Sequence, residues 1–235
     1  MSDNATPHKA VEYDDNIKKT IPFYEYFHTE TIDLIYNYNN KCRKWLDIGC
    51  GTGTLVERAY DAFSNTKFIM SDFSEDMLEQ AKNKFKNNSM ERIYFIPKCG
   101  SQEINQYLNE KVDVITAIQV HHYLSKEERE IATKNCYDLL NEGGIYISFE
   151  NIRPLSESGI SIGLNRWGSF QEAMGKDKES VEKHKARFNK SYFPITILEH
   201  LELLKNTGFN TYEVFWMSQM QCGFYAIKSN LRSKE

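Results

Sequence analysis

Ten residues, Lys-Trp-Leu-Asp-Ile-Gly-Cys-Gly-Thr-Gly at 44–53, restrict what this chain can fold into more than any other stretch. Trp45, Leu46 and Ile48 read as a short buried strand. Glycine follows at 49, 51 and 53, and the spacing of Leu55, Val56 and Ala59 predicts a helix. Strand, glycine turn and helix bring bare backbone N–H groups and a helix start to one point, where a nucleotide-like ligand meets no side chain. Alone such a turn is a weak signal, and its weight depends on whether strand and helix go on alternating.

They do. Lys67-Phe-Ile-Met-Ser-Asp72 is a second short buried strand ending in an acid, 19 residues beyond Gly53. In a βαβ unit that spacing puts a carboxylate at the end of the neighbouring strand, able to accept both hydroxyls of a ribose. Ser74 caps the next helix, with Met77, Leu78 and Ala81 as its buried stripe. A third strand is expected at Arg92–Pro97 and a fourth at Val112–Ile118, which runs into Gln119-Val-His-His-Tyr-Leu124. Ser125 and Glu128 have capping-box spacing, and Leu139-Leu-Asn-Glu-Gly-Gly144 is expected to stop that helix before a fifth strand, Ile145–Phe149. Thr196 caps a last helix that stops at Gly208. Thr211–Met217 and Cys222–Lys228, four residues apart, then form a hairpin whose second strand runs antiparallel to the first. The fold class is α/β: a doubly wound, mostly parallel, seven-stranded-type Rossmann-like sheet with a terminal antiparallel hairpin.

At 235 residues the chain makes one domain, 1–235. Residues 1–15 are polar and expected to fray, and 16–40 form an N-terminal helical cover divided by Pro22. The segment 151–194 is too long for an ordinary connection and carries Trp167, Phe170, Phe188 and Tyr192, so it reads as a mostly helical lid across the strand ends. Its eight Lys and Arg against five Asp and Glu give +3, leaving −7 for the rest of a chain of net charge −4. That balance gives no general pull toward nucleic acid or anionic membrane. Five cysteines, an odd number without C-x-x-C spacing, argue against a disulfide framework or structural zinc and for a reducing cytoplasm. No apolar run reaches the roughly 18 residues that span a bilayer, and the expectation is a soluble cytoplasmic protein.

Leu-Asp-Ile-Gly-Cys-Gly-Thr-Gly, Asp72 followed by Phe-Ser-Glu-Asp-Met-Leu, and Leu-Asn-Glu-Gly-Gly before strand five resemble the class I S-adenosylmethionine-dependent methyltransferases, over roughly Lys44 to Lys228. A looser similarity, to carboxy-S-adenosylmethionine synthase, rests on Ile21-Pro-Phe-Tyr24 and on Gly208-Phe with Phe215-Trp-Met-Ser-Gln and Gly223-Phe-Tyr-Ala-Ile-Lys. That enzyme holds its extra carboxylate with an arginine in the last helix. The matching position here is Leu203, so an ordinary methyl donor is expected. The resemblance implies S-adenosylmethionine as cofactor and S-adenosylhomocysteine as product. Asp47, Gly49, Cys50, Gly51 and Gly53 would border the methionine part, Asp72 would hold the ribose, and Phe73 would lie on the adenine with Met77, Gly100 and Ser101 around it. Gln119 would sit near the sulfonium, and Tyr24 would close the site.

Methyl transfer from a sulfonium needs a base only when the acceptor must lose a proton. His121 and His122 are the candidates, against packed loop histidines as the plainer reading; without a third ligand they make no metal site. Substrate contacts are expected from Arg153, Arg166, Trp167, His184 and Arg187, the arginines suiting a carboxylate or phosphate. The function expected is methylation of a small molecule, with an anionic one in view; nucleic acid is unlikely as a partner, and a homodimer is left open. Rival readings are a non-catalytic cofactor-binding protein, an RNA methyltransferase and an NAD(P) oxidoreductase. The G-x-G-x-G spacing, with Thr54 where a dinucleotide fingerprint has its third glycine, argues against the last.

Overall fold

The computed structural model describes residues 8–88 and 91–229. Its elements are α1 (Tyr13–Thr20), α2 (Tyr24–Asn39), β1 (Lys44–Ile48), α3 (Thr54–Ala59), β2 (Lys67–Ser71), α4 (Glu75–Phe85), β3 (Ile93–Phe95), β4 (Val112–Ile118), α5 (Lys126–Leu139), β5 (Leu140–Asn151), α6 (Glu157–Ala173), α7 (Lys178–Lys185), α8 (Ile197–Thr207), β6 (Thr211–Ser218) and β7 (Gln221–Ile227). The seven strands lie in the order β3-β2-β1-β4-β5-β7-β6. β1 to β5 are parallel, and β7 enters antiparallel between β5 and β6. The order reverses between β1 and β4, and a crevice opens beyond their C-terminal ends.

Alternate residues of β1 serve opposite faces, as a pleated strand requires. Leu46 and Ile48 join one core layer with Ile115, Cys136, Leu204 and Phe224, under α5 and α8. Trp45 joins the other, with Val56, Phe68, Leu78 and Val114. Asp47 points to Trp45's side, and β4 satisfies it. The Trp45 indole donates to Thr116 Oγ1 (2.8 Å), which donates to Asp47 Oδ1 (2.6 Å). A third apolar cluster, of Ile17, Ile21, Phe27, Phe149, Trp167 and Tyr192, unites the N-terminal helices with the lid segment. The five cysteines are free and buried, and among the described residues no helix is long and apolar enough to cross a membrane.

Three expectations need correction. Of the stretch 1–15 expected to fray, 1–7 lie outside the described residues, but Ala10–Glu12 form a 3-10 turn and Tyr13 begins α1. Their polarity matches a helix with acids in its first turn, Asp14 and Asp15, and basic residues in its last. α5 stops at Leu139, before the glycines, because Leu140 is already extended and paired with Val112. The hairpin loop is two residues, not four, since Ser218 pairs with Gln221 and Gln219 takes the positive φ (51°) that a tight turn needs.

Candidate functional site

A cavity of about 290 Å³ occupies the crevice. Every strand end around the switch point contributes: Gly49 and Gly51 after β1, Asp72, Phe73 and Ser74 after β2, Cys99 to Gln102 after β3, Gln119 and Val120 after β4. Gly49 has φ +65°, and a Cβ there would lie 2.4 Å from Val120 Cγ2, so only glycine lets the turn pass beneath the β4 loop. Gly51, at φ +55°, has nothing within 4 Å of where its Cβ would stand; that side of the turn opens to the cavity.

Asp72 is fixed by the backbone. Gly51 N–H donates to its Oδ2 (2.8 Å) and Ser74 N–H to its Oδ1 (2.8 Å), and the carboxylate lines the cavity at the end of β2. Phe73 lies on the wall with 57% of its surface exposed, and the Lys98 ammonium stands 5.2 Å from its ring. Met77, Gly100 and Ser101 are on the same wall, joined by Gln102, whose buried Oε1 has no hydrogen-bond partner among the described residues.

A second, narrower hollow continues past the glycine turn, between Asp47, Gly49, Cys50, Gly51, Tyr13, Tyr24 and His28. Burial raises the Asp47 pKa to about 7 despite the Thr116 hydrogen bond, and the Asp72 charge raises it further. Its Oδ2 is buried and has no hydrogen-bond partner among the described residues. Two carboxylates at a glycine turn, one short of a partner, suit a cationic ligand and repel a pyrophosphate. Tyr24 hydrogen-bonds Tyr13, and Tyr13 lines all three cavities described here. Sequence reasoning missed Tyr13. Its neighbour Asp14 ties α1 to the site, accepting from Thr52 Oγ1 (2.6 Å) and Thr54 Oγ1 (3.2 Å) and pairing with Lys84 (3.3 Å).

The third cavity lies under the lid segment and meets the first at Tyr13, Gln119 and Tyr123. Trp167, His184 and Arg187 line it, together with His8, Asn151 and Tyr192. Burial and then the charges of Arg187 and Lys176 pull the His184 pKa down to about 3; burial, then Lys176 and Arg187, pull His8 to about 4. The hollow is therefore electropositive. Arg187 hydrogen-bonds Tyr123, and the Trp167 indole donates to Thr20 O (2.6 Å), binding lid to α1.

The remaining predicted residues lie elsewhere, Gly53 among them: it caps α3 at φ +80°, packed against Phe85, and lines none of these cavities. Arg153 pairs with Glu157 at the surface (3.1 Å) and Arg166 is exposed; neither lines these cavities. His121 and His122 are buried on the other side of the β4 end and line none of them. His121 Nδ1 lies 3.0 Å from the Tyr146 hydroxyl. His122 Nδ1 donates to Glu150 Oε2 (2.6 Å), and the same carboxylate accepts the backbone N–H groups of both histidines. Burial would raise the Glu150 pKa, but His122 and the surrounding histidines hold it below the usual range. These histidines brace the β4–β5 loops. No α8 residue, Leu203 included, lines the three cavities either.

Comparison with known proteins agrees with the fold. Residues 46–146 match a methyltransferase domain family. The chain is similar to the carboxy-S-adenosyl-L-methionine synthase of Nautilia profundicola, 26% identical over 219 residues, 93% of this chain and 92% of that one. In fold it is similar to the plantazolicin methyltransferase BpumL, solved with a desmethyl substrate analogue and S-adenosylhomocysteine (TM-score 0.67, 17% identity, 94% of this chain and 91% of that one). It is likewise similar to the magnesium protoporphyrin IX methyltransferase of Synechocystis, solved with S-adenosylhomocysteine (TM-score 0.62, 16% identity, 94% and 96% covered).

Proposed function

We propose that the chain is a class I S-adenosylmethionine-dependent methyltransferase that methylates a small anionic molecule held under the lid segment. The observation that carries this reading is the electropositive lid cavity, which meets the cofactor crevice at Gln119 and Tyr123 and is lined by Arg187, His184 and Trp167. An enclosed hollow favours a small acceptor over a nucleic-acid strand.

The cofactor supplies an electrophilic methyl group on a positively charged sulfur. Asp72 accepts the ribose hydroxyls, and Asp47 faces the cationic methionine end. Tyr13 and Tyr24 close that end against water. Arg187 fixes the anionic group of the acceptor, so that its nucleophilic atom meets the methyl group near Gln119. Holding the two in line within a dry site is worth on the order of 7–11 kcal/mol at best, and no covalent participation by the protein is required. The lid cavity measures only about 20 Å³, room for about one water molecule, so an acceptor enters as α6 and α7 move off α1.

The test is transfer of label from methyl-labelled S-adenosylmethionine into size-fractionated cell extract. Label in the low-molecular-mass anionic fraction supports the proposal. Label confined to RNA or protein refutes it.

A further inference from the structure

We infer that the atom receiving the methyl group is a nitrogen that bears hydrogen, positioned by the side-chain amide oxygens of Gln119 and Asn151. The inference rests on the proposed site and deepens it.

Gln119 is 9% exposed and held at φ +62°, a left-handed backbone rare outside glycine, at the junction of cofactor crevice and lid cavity. Its amide orientation has one solution. Nε2 lies 3.3 Å from the Phe149 carbonyl and 3.1 Å from Gln221 Oε1; the carbonyl can only accept, so Nε2 faces it and Oε1 faces away. That oxygen is buried and has no partner among the described residues.

Asn151, 4% exposed, is fixed in the same manner. His122 Nδ1 stands 2.6 Å from Glu150 Oε2 and 3.4 Å from the Asn151 backbone nitrogen; the shorter contact is to a carboxylate, which only accepts, and with the ring proton on Nδ1, Nε2 accepts from Asn151 Nδ2 (3.0 Å). Asn151 Oδ1 is then turned away, buried and without a hydrogen-bond partner among the described residues, on a residue of the lid cavity. Asn151 is also the register partner of Gln221, the residue bonded to Gln119, so both amides stand at one level of the sheet edge.

Two immobilised acceptor oxygens, each missing a donor, call for a ligand group that carries hydrogen. A hydroxyl offers one hydrogen to the two oxygens and leaves one of them without a donor. A neutral amino nitrogen with two hydrogens satisfies both oxygens and keeps a lone pair for attack. The lone pair forms the N–CH₃ bond, and the S–CH₃ pair returns to sulfur. The positive charge passes to nitrogen, where the amide dipoles stabilise it, and the N–H proton leaves to water after release. Gln119 and Asn151 act as positioning residues.

The test uses the full chain saturated with S-adenosylhomocysteine, saturation being verified first by calorimetry. If that step fails, the cofactor reading falls, whatever the acceptor. Three matched probe pairs are then compared by ligand-observed NMR: aniline with N,N-dimethylaniline, 4-aminobenzoate with 4-(dimethylamino)benzoate, and phenol with anisole. At least one N–H probe is expected to bind about tenfold tighter than its methylated partner, and the preference should fall below about threefold in Asn151→Leu. A preference shown only by the phenol pair overturns the inference, as does the absence of preference in both nitrogen pairs, or one that Asn151→Leu leaves unchanged. The wild-type comparison decides even if the variant fails to fold.

Discussion

Asp47→Asn separates what the carboxylate does for the fold from what it does for the cofactor. Asp47 is 2% exposed, and its pKa stands at about 7 because burial opposes its charge. The unfolded chain ionises near pH 3.9, so the folded state binds the proton more tightly. A carboxyl raised in this way contributes stability at low pH and loses it between about pH 4 and pH 7. From about pH 5 to pH 9 that loss grows by roughly two pH units, or about 3 kcal/mol. Asparagine keeps the acceptor for Thr116 and cannot ionise. The variant should gain on the wild type by about 3 kcal/mol over that range, roughly 6–12 °C in melting temperature for a chain of this size. S-adenosylmethionine affinity should meanwhile drop by about 2–4 kcal/mol, since a buried cation loses its counter-charge. Melting of the cofactor-free proteins at both pH values, with calorimetry at pH 8, reads both effects. A melting difference that does not change with pH would refute the reasoning, as would unaltered affinity.

Asp72→Ala removes the acceptor set at the end of β2 and should weaken S-adenosylmethionine binding by roughly 2–4 kcal/mol; unchanged calorimetric affinity would move the ribose elsewhere. His122→Ala strands a buried carboxylate and should destabilise the chain by about 3–5 kcal/mol in urea unfolding, while cofactor affinity in the folded protein stays within about threefold. Loss of turnover without loss of stability would restore it as a base. Burial pulls His28 to about 3, His121 to about 4 and His200 to about 3. Their neutral forms stabilise the fold fully above about pH 6.5, and each loses about 1.4 kcal/mol per pH unit below it, with Asp47 opposing. Melting temperature should therefore fall steeply from about pH 6 to pH 4; a flat profile would contradict the buried neutral assignments.

What was legible in the sequence was whatever depends on near neighbours in the chain. The glycine turn, the Asp72 spacing, the box at Ser125–Glu128 and the cap at Thr196 are local devices, and each stands where its spacing puts it. Side-chain direction was not legible at the strand ends. His121 and His122 follow β4 into the crevice region, yet both turn under it because Glu150, a strand away, takes their backbone N–H groups. Arg153 stands beside the lid cavity in sequence but pairs outward with Glu157. Tyr13 was hidden for the opposite reason. In sequence it begins a polar run, and only the Asp14 ties to Thr52, Thr54 and Lys84 bring it over the glycine turn. Asn151 and Tyr192 needed the topology too, since their places in the lid cavity arise from β5 and the end of the lid converging.

The central claim is that the turn at 49–53 and its two carboxylates hold a sulfonium cofactor. Titration calorimetry with S-adenosylmethionine, S-adenosylhomocysteine and NAD(P)H, in buffers of different ionisation enthalpy at about pH 6, tests it most directly. Both adenosyl ligands should bind one per chain, the sulfonium compound releasing up to about one proton as Asp47 ionises, and the nicotinamides should give no heat. Tight nicotinamide binding with no response to S-adenosylmethionine would contradict it.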